Sequence, residues 1–497
     1  MDTILLHVEN TNEVPNAWQQ AFLESERAAV NAKIWQIEGE ITKLLVQRDA
    51  LKSQHQRYTS ALSPLRRCPN EILVEIFTHF NASDYQDVLN ISHVCHGWRE
   101  VIFGIPILWV DIIVHIQDGN QPTAQTALAR IEHHIKCAKG RPLSLMIGEV
   151  PHHLMMTIMC TIFAETTVKP SRFAARWRNI TIPANSADLD GLLWVLNRYQ
   201  TLDADPSTLA SFTITHSSLD LFPNEDAIID LKPLTALRTF RCEVEDPDFL
   251  DHVLINWGTL TSLTLGTPLP SVSYLNILAL CPGLESLQIL SEDQGEEIED
   301  GDLITLQNLR ELHIISWSCP MTLIERISCP VVESIAFDFS YAYVLEPVVY
   351  GFLERSKTDR LHHFHCSGEL LFALLDSLGI PSPGFPSLVS LKLDREHNDD
   401  HDLNIFDFLT REGHADEFPK LERLEILDHD PSFRPEELES CLQMIRSRLE
   451  VSPDKLAQGW RALQRVVVQS GEEESEELSP LKAMRRFHEQ GLLVGLL

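Results

Sequence analysis

At 497 residues, 44% of them hydrophobic and 23% charged, the chain is too long for one compact core and too apolar for disorder as its main state. Forty Lys and Arg stand against 72 Asp and Glu, a formal charge of −32. With no Lys/Arg-dense block, that balance argues against nucleic acid and against an anionic membrane surface as partners.

The opening MDTILLHVENTNEVP has neither the basic start nor the apolar run of a secretory leader. No stretch reaches the roughly 20 apolar residues that span a bilayer. Ten cysteines, none in a CxxC pair, suit reduced and mostly buried thiols in the cytoplasm or nucleus. Residues 1–20 read as a flexible tail.

Residues 21–62 contain no proline and one glycine, Gly39, and their apolar residues follow a heptad. One seam position reads Leu23, Val30, Ile37, Leu44, Leu51 and Tyr58. Its companion reads Arg27, Ile34, Ile41, Arg48, His55 and Leu62. This alternation predicts a long helix with a narrow apolar seam, either self-paired as a coiled coil and homodimer or folded back on the neighbouring domain.

Residues 63–113 predict three short helices. Pro69 suits a first helical position and Glu71 the positive end of the helix dipole. Ile72, Leu73, Ile76, Phe77 and Phe80 follow at helical spacing. Ser83 or Asp84 is placed to cap a second helix holding Val88, Leu89, Ile91 and Val94. Gly97 is expected to break it, with a third helix over Trp98–Phe103 that Pro106 ends. Such a unit, with Trp98 and Trp109, carries more apolar surface than fifty residues bury alone, which suggests a partner face.

From residue 141 to 497 a unit of the form Leu-x-x-Leu-x-Leu recurs. Its copies begin at Leu237, Leu260, Leu284, Leu309, Val332, Leu361, Leu388, Leu421 and Leu463, with weaker ones near Leu143, Trp177 and Leu209. Each alternates as a half-buried strand does. Helical patterns lie between copies at Ser273–Leu280, Met321–Ile327, Leu370–Leu378, Leu403–Leu409 and Glu436–Leu449, and a last strand is expected at Leu492–Leu496. The prediction is an irregular leucine-rich-repeat α/β solenoid, a curved parallel sheet with outer helices.

The stretches PLRRCPNEILVEIF at Pro64–Phe77 and ISHVCHGWREVIFGIPILWVDI at Ile91–Ile112 resemble the F-box of the large F-box families of mushroom-forming fungi. Those proteins also place a heptad helix before the F-box and irregular leucine-rich repeats after it. The resemblance implies a non-catalytic adaptor, binding a Skp-type adaptor of a cullin–RING ubiquitin ligase through the F-box and an unknown client protein through the solenoid. Carried over by position, it makes Pro69, Ile72, Leu73, Ile76 and Phe77 the first partner-binding helix. Ile91, Val94, Cys95 and Trp98 belong to the second matched stretch, and Trp109 closes the motif. Cys68 stands where the family usually has leucine.

No Gly-rich phosphate loop, HExxH or GxSxG is present, so no catalytic residue, cofactor or metal is expected. Two clusters hold metal-ligating side chain types and both read as polar surface: His362, His363 and His365, and the loop from Asp394 to Asp402. Acidic runs at Glu292–Asp300 and Glu472–Glu477 read as rim loops. Outward strand positions such as Ser262, Glu285 and His313 are candidates for client contact. A scaffold that self-associates through the heptad helix, with no ligase function, is the competing reading.

Overall fold

The computed structural model describes residues 14–79, 85–114, 124–148, 177–183, 208–215, 228–244, 246–290, 302–316, 321–339, 346–376, 385–395, 418–428, 435–449, 451–469 and 493–495, with single positions at 6, 10, 406, 409 and 410. The chain divides into two compact units. One comprises residues 1–81 and 92–102, the other residues 82–91 and 103–497.

In the first unit, helix α1 spans Ala17–Ala61. It begins ahead of the expected residue 21 because Asn16 and Gln19 form a capping box. The Asn16 side chain accepts from the Gln19 backbone N–H at 2.9 Å, and the Gln19 side chain accepts from the Asn16 N–H at 3.0 Å. Its 45 residues extend about 68 Å at 1.5 Å per residue. None of them is buried. A turn at Pro64–Arg67 leads to α2, Asn70–Thr78.

Helices α3, Tyr85–Val94, and α4, His96–Gly104, each straddle the division. Two expectations need correction here. Pro69 precedes α2 as its cap residue rather than opening it, and its carbonyl accepts from the N–H groups of Ile72 and Leu73. Gly97 does not end α3. The break falls at Cys95, and Gly97 lies in the first turn of α4, where backbone N–H groups lack intrahelical partners and a glycine costs little. The proposed caps Ser83 and Asp84 lie outside the described residues.

The second unit is built on one sheet of 14 strands, all parallel and arranged in chain order. It opens with β1, Asp111–Val114, directly after a single turn at Pro106–Trp109. The expected start at residue 141 is therefore late. The first strand–helix unit is β1 with α5, Ala124–Cys137, whose helical pattern carries no Leu-x-x-Leu signature. Gly140, at φ +87°, then turns the chain into the second strand, as a residue without Cβ does without strain.

The next strands are β2 (Leu143–Ile147), β3 (Trp177–Pro183), β4 (Ser211–Thr215), β5 (Thr239–Cys242), β6 (Ser262–Leu265) and β7 (Ser286–Leu290). There follow β8 (Glu311–Ser316), β9 (Ser334–Phe339), β10 (His363–Ser367), β11 (Ser390–Arg395), β12 (Arg423–Asp428), β13 (Arg465–Gln469) and β14 (Leu493–Gly495). Phe240, Leu263, Leu287, Leu312, Ile335, Phe364, Leu391 and Leu424 are successive register partners, so each sequence copy sits beside the next with no slip. All eight are buried. A one-residue slip would turn each strand's apolar side to the opposite face, which is why the pattern pins the register.

Before seven of the fourteen strands the chain makes the same tight turn. The Leu237, Leu260, Leu284, Leu309, Val332, Leu388 and Leu421 N–H groups each bond the carbonyl three residues back. Backbone bonds then join neighbouring copies, such as Glu285 N–H to Thr261, Arg310 to Glu285 and Glu333 to Arg310. Helices α6 (Ser271–Ala279), α7 (Met321–Arg326), α8 (Glu346–Ser356) and α9 (Gly368–Asp376) pack in chain order, and α10 (Pro435–Leu449) follows. Helix α8 carries buried Val349, Phe352 and Leu353 yet was not foreseen from sequence. The helical pattern at Leu403–Leu409 lies almost wholly outside the described residues.

The core is continuous along the array. Phe337, Phe364, Phe385 and Phe418 form an aromatic chain, with centroids 6.4, 5.5 and 5.5 Å apart in turn. Successive copies share these rings, so no copy completes its core alone. The thiols of Cys242, Cys281, Cys329, Cys366 and Cys441 are buried in the same interior. Burial pushes the thiols of Cys242, Cys281 and Cys329 up to about 12. No described helix is long and apolar enough to cross a membrane.

Candidate partner-binding surfaces

Helix α2 is apolar on two faces, and the fold uses them differently. Leu73 and Phe77, one turn apart, are buried. Ile72 and Ile76, also one turn apart, remain 52% and 51% exposed. Leu65 and Pro69, which lead into the helix, are exposed as well. An isoleucine pair left half in water on a nine-residue helix is apolar surface awaiting cover.

The buried pair is held from α4. Trp98 meets the Phe77 ring edge-on, with centroids 5.0 Å apart and planes at 69°. Cys95 caps that helix, its Sγ accepting from the Trp98 N–H at 3.5 Å. Arg99 Nε donates to the Ser92 carbonyl at 3.2 Å, tying α4 to the last turn of α3. Val94 is 61% exposed, while Cys95 and Trp98 are half-buried. Exposed side-chain pairs flank these helices, Glu75 with His79 at 3.0 Å and His96 with Glu100 at 3.3 Å.

The ten residues singled out from sequence therefore fall into distinct roles. Pro69, Ile72, Ile76 and Val94 face solvent. Ile91, Cys95 and Trp98 are half-buried. Leu73, Phe77 and Trp109 are interior and shape the helices from within. Leu65 and Arg99 were not foreseen, because a leucine in a turn and an arginine bonded to a carbonyl have no spacing signature.

Trp109 has its own setting in the second unit. It is fully buried, with Phe103 stacked at 5.3 Å and the His133 and His134 rings edge-on at 5.2 Å each. His134 Nδ1 donates to the Trp109 carbonyl at 3.2 Å. Burial lowers the His134 pKa to about 4, so this imidazole is neutral at physiological pH.

A second surface runs across the sheet. Arg241, Gln288, His313, His365 and Lys392 alternate with core residues, and their strands pair in register through Thr264, which is buried, and through Ala336 between the two histidines. Gln288 Nε2 lies 3.2 Å from His313 Nδ1, and His365 Nε2 lies 2.6 Å from Asp394 Oδ2. Burial lowers the His313 pKa, and the neighbouring His365 adds to the effect. Ser262 and Glu285 are also accessible.

His363 and His365 lie two apart in β10, where alternation places them on one face, and His362 precedes the strand and is exposed. No group of three or more metal-binding side chains occurs among the described residues. Of the loop from Asp394 to Asp402, only Asp394 and Arg395 are described, and both acidic runs lie outside the described residues.

No curated protein matches the chain significantly. The F-box-like family model matches residues 66–115, the span from α2 through β1. The segment that buries Leu73 and Phe77, with Trp98 against Phe77, and leaves an exposed Ile72–Ile76 stripe is thus an F-box-like domain, and its presence points to a ubiquitin-ligase adaptor in general.

Proposed function

We propose that this chain is the substrate-recruiting, non-catalytic subunit of a Skp–cullin–F-box type ubiquitin ligase. The F-box-like domain docks a Skp-type adaptor, and the strand–helix array, which we read as an irregular leucine-rich-repeat solenoid, binds the client protein. Ubiquitin transfer is left to other subunits, and the contribution of this chain is proximity, which raises the effective concentration of client beside the transferring enzyme. Long helix, F-box-like domain and repeats follow one another as in the F-box families of mushroom-forming fungi. The outward row containing Arg241, Gln288, His313 and His365 is the client-facing surface in this reading, at work in the cytoplasm or nucleus.

The observation that carries the proposal is the half-exposed Ile72–Ile76 pair on the first helix of the matched domain. Apolar side chains at an interface centre dominate binding, and a charge there leaves an uncompensated buried carboxylate in the complex. Ile76→Asp should therefore abolish co-purification with a Skp-type adaptor while leaving the helical circular dichroism of the chain unchanged. Retained binding by Ile76→Asp, or no binding by the folded wild-type chain, would sink the adaptor reading.

A further inference from the structure

The heptad seam of α1 is open along nearly its whole length. Val30, Ile34, Ile37, Ile41, Leu44 and Leu51 are 46–65% exposed. A shallow groove lined by Leu44, Arg48, Leu51 and His55 follows the same seam. Isolated helices of this length keep such a stripe dry only by pairing it.

The charges along α1 say with what, and in which direction. Residues 17–40 hold four carboxylates and two cations, while residues 41–61 hold four cations and one carboxylate. The helix is acidic in its first half and basic in its second, so it complements a reversed copy of itself.

The polar seam positions agree. In a parallel pair, Arg27, Arg48 and His55 would each face their own copies, setting like charges together at the interface. In an antiparallel pair with Ile41 opposite Leu51, Arg48 comes opposite Leu44 and His55 opposite Ile37. These two long polar side chains then lie along apolar neighbours with their heads reaching water, and Arg27 falls beyond the end of the second copy's helix. The same alignment places Glu38 beside Lys52 of the second copy, twice per dimer.

We propose that α1 is an antiparallel homodimerisation helix, so that two copies of the chain, and with them two F-box-like domains, form one assembly. This inference does not depend on adaptor binding.

Sedimentation equilibrium of the full chain tests it, with circular dichroism as the check on folding. The wild type should be a dimer. Ile41→Asp, at an exposed position, should weaken self-association by at least about thirtyfold, as loss of a central apolar anchor does. Glu38→Lys and Lys52→Glu should each weaken it alone, and an equimolar mixture of the two variants should recover a heterodimer. In a parallel pair Lys52→Glu would be silent, because it meets Gln47, and mixing would restore nothing. A monomeric wild type, a dimer indifferent to Ile41→Asp, or failure of the mixture to recover would each overturn the proposal.

Discussion

His134 shows how one buried side chain makes the second unit sensitive to acid. It donates to the Trp109 carbonyl, and burial holds its pKa at about 4 against an ordinary 6.5. Unfolding would let the imidazole take up a proton that the folded chain refuses. Its contribution to stability is therefore fully present above pH 6.5 and is lost progressively as pH falls from 6.5 towards 4. The full loss amounts to about 3 kcal/mol. Urea unfolding followed by tryptophan fluorescence between pH 7 and 4 should show this fall, and His134→Gln should lack that part of it. Parallel curves for the two proteins would mean that His134 stays protonated, or exposed, in the fold.

At the scale of an element, the end of α10 depends on Arg448. The side chain is fully buried, with Nε 2.6 Å from the Leu409 carbonyl and Nη1 3.3 Å from that of Phe418. Its guanidinium also lies 5.9 Å from the Phe418 ring centroid, and its own carbonyl accepts from the Leu463 N–H. One arginine thus joins a helix C-terminus to the turns on either side of it, where a cation is also favoured by the helix dipole. Arg448→Met keeps the apolar stem but leaves two buried carbonyls without these donors. A loss of about 3 kcal/mol in urea unfolding is expected. A loss below about 1 kcal/mol would show that the carbonyls find other partners.

The whole array is coupled through neighbours, because the rings of Phe337, Phe364, Phe385 and Phe418 pass from one copy to the next. Stability in such a chain is a sum of intrinsic and nearest-neighbour contributions. Phe364→Ala should cost about 3–5 kcal/mol. In hydrogen exchange its effect should be concentrated in β9, β10 and β11, with β5 and β6 little changed. Uniform acceleration across the sheet would indicate one cooperative block instead.

Periodicity alone determined the strands of the array. A period of two with leucine, isoleucine or phenylalanine inward leaves one register, and the copies from Leu237 to Leu463 occupy it. The matched F-box-like segment was equally legible, since Ile72 to Phe77 and Trp98 to Trp109 keep recognisable spacings. Sequence could not divide the apolar faces of α2, because Ile72, Leu73, Ile76 and Phe77 are equally suited to burial. In the fold the ring of Trp98, brought from α4, meets Phe77, and Leu73 and Phe77 turn inward while Ile72 and Ile76 stay outside. Nor could it show that the sheet starts at Asp111, where a four-residue strand lacks the repeat's leucines and is defined by its pairing with β2. The heptad likewise announced a seam without a partner. No residue of α1 is buried, and burial belongs to assembled neighbours rather than to any stretch of sequence.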